Sequence, residues 1–92
     1  MSDIDWKARF AALCELDGDD WDAEHERIEA EWLPAYREAF VSIAVARGWS
    51  RENAETWPDQ IDREAYVECY RHDGCPRRTA EADVIACEEE AL

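Results

Sequence analysis

The apolar residues Ile28, Trp32, Tyr36, Ala39, Phe40 and Ile43 recur at intervals of three and four along one stretch of this chain. That spacing places them on one face of a helix, and so long a stripe needs a surface to bury it. Pro34 sits in its middle. A proline inside a helix removes one backbone hydrogen bond and its ring clashes with the preceding turn, a cost of about 3 kcal/mol. The stripe therefore predicts either a kinked helix or a new helix with Pro34 in its first turn. A break or sharp kink at Leu33-Pro34 is the expectation.

The rest of the chain also reads as helices. Ser2 or Asp3 is placed to cap a first helix bearing Trp6, Phe10, Leu13 and Cys14 on one side. Asp17-Gly18-Asp19-Asp20 makes a turn, and Asp20 or Asp22 caps the helix that follows. The helix beginning at Ala35 stops at Gly48. Ser50 caps a short helix ending near Thr56, and Trp57-Pro58 breaks it. Pro58 opens the next helix, with Ile61, Ala65, Tyr66, Cys69 and His72 on one side and Gly74 as its stop. Cys75-Pro76 starts a last helix whose apolar side, Ala80, Val84, Cys87 and Ala91, is thin.

A weak internal repeat links two of these segments. Arg37-Glu38-Ala39-Phe40-Val41 matches Arg63-Glu64-Ala65-Tyr66-Val67, Gly48 matches Gly74, Arg51 matches Arg77, and Ala54-Glu55 matches Ala80-Glu81. Eight of the nineteen positions from 37 to 55 are identical at an offset of 26. The pattern reads as two copies of helix, glycine-stopped turn, helix; the alternative is coincidence in an Ala/Glu/Arg-rich chain. With 92 residues and five Trp, three Tyr and two Phe for a core, the expected fold is all-α. It is a compact bundle of about five helices whose second half is two similar helix-turn-helix hairpins. The chain is expected to be one helical domain over residues 1–92, with an acidic N-terminal part, 1–33, and the two hairpins over 35–91.

Charge narrows the function. Twenty-four Asp and Glu face ten Lys and Arg, a net charge of −14. Such a field repels phosphates, which argues against direct binding to nucleic acid or to an anionic membrane. It attracts basic surfaces and makes the encounter salt-sensitive. Solubility alone is the plain alternative. Met1–Phe10 lacks the apolar core of a signal peptide. The longest apolar run, Val41–Ala46, is interrupted by Ser42 and far too short to span a bilayer. A cytoplasmic chain with reduced thiols is expected.

The acidity is concentrated. Nine of the seventeen residues from Glu15 to Glu31 are Asp or Glu, and only Arg27 opposes them. Asp22, Glu26 and Glu29 share one face of the second helix while Ile28 and Trp32 share another. A row of carboxylates on a helix approximates the phosphate spacing of a nucleic-acid strand, and so suits a groove lined by Lys and Arg. The candidate partner-binding set is Asp17, Asp19, Asp20, Trp21, Asp22, Glu24, Glu26, Glu29 and Glu31, with Trp21 as the aromatic anchor. A merely solvated face is the competing reading.

Other chemistries fit poorly. Asp17-Gly18-Asp19-Asp20-Trp21-Asp22 begins like a calcium loop, but Trp21, Asp22 and Ile28 occupy the fifth-ligand, glycine and bidentate-glutamate positions. Cys69, His72, Cys75 and Cys87 offer four zinc ligands by chemistry, at a spacing that is not a common zinc-finger pattern; Cys69 and Cys87 also fit apolar stripes. His25 has no nucleophile beside it, and the glycines are isolated. No catalytic residue, cofactor or metal site is assigned.

In overall character the chain resembles the small acidic inhibitors that phages and mobile elements encode against bacterial defences, the anti-CRISPR and DNA-mimicking anti-restriction proteins. Size, charge, the Glu15–Glu31 segment and the missing catalytic motif carry the resemblance; no motif transfers a residue role. It implies a non-enzymatic inhibitor in the bacterial host cytoplasm. Its acidic face would block the basic nucleic-acid-binding surface of a protein or ribonucleoprotein complex, such as a type I CRISPR effector. The alternatives are a regulatory protein–protein interaction module, such as an antitoxin or small adaptor using an apolar groove, and a small zinc-stabilised domain.

Overall fold

The computed structural model describes residues 5–91. Four α-helices, α1 (Trp6–Cys14), α2 (Gly18–Ala46), α3 (Arg51–Glu68) and α4 (Pro76–Ala91), are joined by short turns, with a 3₁₀ turn at Cys69–His72 after α3. The chain is an all-α bundle, with no strand among the described residues. α2 packs against α1, α3 and α4, most extensively against α3 and α4. Its 29 residues span about 43 Å at the helical rise of 1.5 Å per residue, and 43 Å is the longest dimension of the molecule. α2 is therefore the spine on which the other helices lie.

The expected break at Leu33-Pro34 is absent: α2 runs through Pro34 without interruption. The reason lies on the other side of the helix. Ile28, Trp32, Tyr36, Phe40 and Ala44 are fully buried and succeed one another at four-residue intervals. The Trp32 and Tyr36 rings stack across the proline, 5.1 Å apart and 10° from parallel. Ending the helix between them would unstack the rings and expose half the stripe. Pro34 and Ala30, whose carbonyl loses its partner, are both exposed, so water can satisfy that carbonyl.

The break expected at Trp57-Pro58 is absent for a related reason. α3 is continuous from Arg51 to Glu68. Pro58 is itself buried within the stripe Ala54, Pro58, Ile61, Ala65 and Cys69. The ring is a core residue here, and its burial offsets the lost hydrogen bond. Both prolines show a contiguous apolar face prevailing over a local helix-breaking signal.

Helix ends agree with the sequence in places and depart in others. Ser50 caps α3 as expected, its side chain accepting from the Asn53 amide at 3.2 Å. Asp5, and not an earlier residue, caps α1 by accepting from Ala8 N at 3.0 Å; Ser2 and Asp3 lie outside the described residues. α2 starts at Gly18, ahead of the expected Asp20 or Asp22, with Asp17 at its cap position. Cys14, expected on the apolar side of α1, is exposed.

The two glycine-stopped turns of the repeat are both present, with positive φ of 98° at Gly48 and 73° at Gly74. The repeated units overlap, because α3 serves both hairpins. The second turn is the more constrained. Asp73 and Gly74 are consecutive left-handed residues. The buried Trp32 indole donates to the Gly74 carbonyl at 3.0 Å. A Cβ on Gly74 would lie 2.5 Å from Cδ2 of Phe10. α1 and α2 thus both close on the backbone of the turn that launches α4.

Rings continue outward from this point. Trp32 meets Tyr66 edge-on at 5.4 Å, Tyr66 packs on Phe10 at 5.8 Å, and Tyr36 leads through Phe40 to Trp49. Polar ties add direction. The Tyr36 hydroxyl donates to Asp83 at 2.7 Å, and Arg47 and the Trp49 indole both donate to Glu88.

Two substitutions test this junction. Trp32→Phe keeps an aromatic but leaves the buried Gly74 carbonyl without a donor; equilibrium urea unfolding should show a loss of about 1–3 kcal/mol. Gly74→Ala adds left-handed strain and an overlap with Phe10, for a loss of about 3 kcal/mol. Gly18→Ala, at a φ of 61° with nothing within 4 Å, should lose only about 1 kcal/mol in the same assay.

Candidate acidic interface

The acidic segment forms the corner where α1 turns into α2. Glu15 caps the end of α1, and Asp17 enters α2 in extended conformation without using its side chain as a cap. Asp19 and Asp20 fall in the first turn of α2, where the partial positive charge of the helix end favours them. That position explains how so many carboxylates sit together without unwinding the helix.

The structure divides the nine candidate residues. Asp17, Asp19, Asp20, Asp22 and Glu26 are exposed, and among the described residues none of them forms an ion pair. Glu24, Glu29 and Glu31 are engaged within the protein. Glu24 accepts from Arg27 at 2.7 Å. Glu29 turns inward, 3.9 Å from Nδ1 of His25 and 3.7 Å from Nε of Arg63 on α3. Glu31 accepts a hydrogen bond from Arg9, whose guanidinium also lies 5.0 Å from the centre of the Trp6 ring. Glu31 ties α1 and Glu29 ties α3 to α2, while Glu24 is held within α2 itself. The helix face expected to carry Asp22, Glu26 and Glu29 together is thus two exposed carboxylates and one inward-facing one.

Trp21 is half-buried. One face of its indole stacks on His25, 4.6 Å between centroids and 21° from parallel, and His25 in turn meets Tyr66 edge-on at 5.1 Å. The indole also lines an open hollow with Cys14, Leu16, Asp17 and Asp22. An aromatic ring held from behind and bordered by free carboxylates can receive a cationic side chain over its open side. The sequence weighed His25 only for catalysis, although Trp21, His25 and Glu29 follow at four-residue intervals, the helical signature of a contacting ladder.

Among the described residues, no three His, Cys, Asp or Glu side chains converge to hold a metal ion. Cys69 is fully buried, and burial pushes its thiol up to about 12, as for a small apolar core residue. No described helix is long and apolar enough to cross a membrane.

The sequence also missed a second acidic group. Glu64 and Glu68 on α3 face Asp83 and Glu90 on α4 across a crease. The i, i+4 spacing of Glu64 and Glu68 beside Ile61 was its only sequence signal.

The hydrogen bond from Arg9 holds the Glu31 carboxyl below the usual carboxylate range. The fold thereby favours ionised Glu31. Its contribution is complete above the unfolded value of about 4.3 and disappears as pH falls through the lower folded value. Glu31→Gln should therefore lose stability relative to the parent at pH 7, with the gap closing between about pH 5 and pH 3, as read from urea midpoints. No family model matches the chain, and neither does any curated protein or solved structure.

Proposed function

We propose that this protein is a non-enzymatic inhibitor that docks the α1–α2 corner onto a basic, nucleic-acid-binding surface of another protein or ribonucleoprotein complex. The observation that carries the reading is the separation within the acidic segment. Glu24, Glu29 and Glu31 are used up by internal cations, while Asp17, Asp19, Asp20, Asp22 and Glu26 stay exposed and unpaired around the half-buried Trp21. A solvated face needs no aromatic at its centre. An interface gains from one, because a ring braced by His25 loses little freedom on binding.

A net charge of −14 would accelerate encounter with a cationic groove and impose a steep salt dependence. Occupying such a groove excludes nucleic acid by mass action, without any chemical step. Interference complexes of the type I CRISPR class, which present cationic channels to DNA, are the partners proposed, within the bacterial cytoplasm.

Competition on a purified type I interference complex is the test. The protein should displace duplex DNA, and its affinity should fall as salt rises. Neutralising the corner with Asp17→Asn, Asp19→Asn, Asp20→Asn, Asp22→Asn and Glu26→Gln should weaken binding roughly tenfold to a hundredfold, with the helical circular dichroism retained. Binding that ignores salt, or that persists alongside DNA without competition, would sink the proposal.

A further inference from the structure

A second surface of the molecule has the character of a docking groove. α3 and α4 leave a crease of about 270 Å³ between them. Its floor is apolar: Trp57 and Ile61 come from α3 and Cys87 from α4, all half-buried. Past Trp57 and Cys87 it widens into a hollow of about 680 Å³ that reaches Trp49.

The rims carry one sign of charge. Glu64 and Glu68 line the α3 side one helical turn apart, and Asp83 and Glu90 line the α4 side two turns apart. Among the described residues, no Lys or Arg lines the crease. The one cation of the wider end, Arg47, is already held by Glu88 at 2.6 and 2.8 Å. Among the described residues, Glu64, Glu68 and Glu90 form no ion pair. Burial pushes the Asp83 carboxyl up and Glu68 adds to the push, against the Tyr36 hydroxyl and His72. Like charges are thus gathered over an apolar floor, with no Lys or Arg among the described lining residues to relieve them.

We infer that the α3–α4 crease binds a basic amphipathic helix of a partner protein, its apolar face on Trp57 and Ile61 and its Lys or Arg side chains against Glu64, Glu68 and Glu90. The two lines of carboxylates run along the helices that flank the floor, which matches cations on both flanks of an apolar stripe. This is helix-in-groove recognition with charge complementarity selecting a basic ligand. A nucleic acid is repelled by the same rims, and an acidic helix is excluded by them. The surface is separate from the α1–α2 corner, so either assignment can fail without the other.

The probe is a synthetic helix-forming peptide of about 16 residues with Leu on one face and Lys on both flanks. It is titrated into the ¹⁵N-labelled 92-residue protein and compared with oligolysine of equal charge. Expected are shifts centred on the Trp57 indole and the Cys87 amide, and affinity at least tenfold above that of oligolysine. The triple variant Glu64→Gln, Glu68→Gln, Glu90→Gln, whose positions are all exposed, should weaken the peptide about tenfold with unchanged circular dichroism. Four results each overturn the inference: no binding at millimolar peptide, shifts centred on Asp17 to Glu26, equal affinity for oligolysine, or an unweakened triple variant.

Discussion

The bundle depends on one buried hydrogen bond, from the Trp32 indole to the Gly74 carbonyl. It joins the middle of the longest helix to the turn that sends the chain into α4, across 42 residues of sequence. A buried carbonyl must be satisfied, and this one belongs to a left-handed residue that the Phe10 ring approaches too closely for any side chain. Donor, glycine and ring therefore specify one another. Because Trp32 also stacks on Tyr36 and meets Tyr66, the same residue sets the register of α2 and anchors α3. A small domain has little core to spare, and here much of it converges on one indole.

Charge is distributed on the same logic. Three carboxylates that meet a neighbouring helix are answered: Glu31 by Arg9, Glu29 by Arg63, Glu88 by Arg47. Ten basic residues cannot answer twenty-four acidic ones, so a remainder is inevitable. That remainder is not spread evenly. Much of it lies at the α1–α2 corner and along the α3–α4 crease, each beside a half-buried tryptophan, Trp21 or Trp57. Self-repulsion in a chain of this charge opposes compaction, and placing the unanswered groups at exposed helix ends and rims limits that cost.

Fold class and the two glycine turns were legible because they rest on local signals: three-to-four spacing, Ser50 before Asn53, Gly48 and Gly74 after apolar runs. The breaks expected at the prolines were misread for the opposite reason. Pro34 and Pro58 carry a local penalty that only tertiary burial outweighs, through the Trp32–Tyr36 stack in one case and burial of the ring itself in the other. The acidic segment was legible as a density of charge. Which of its members remain free was not, since the partners Arg9 and Arg63 lie on other helices. The α3–α4 crease was hidden for the same reason: its two rims are far apart in sequence, and neither is dense enough to stand out alone.

The cysteines carry a consequence of their own. Cys14 is exposed while Cys69 is fully buried under the aromatic core, with burial holding its thiol protonated at neutral pH. Only the thiolate reacts with alkylating reagents, so Cys69 becomes reactive only when the helices around it part. The chain thus contains an internal clock of its own opening. Modification at Cys14 marks elapsed exposure to reagent, and modification at Cys69 counts excursions from the folded state. Their ratio would report how often this core breathes, without any label added to it.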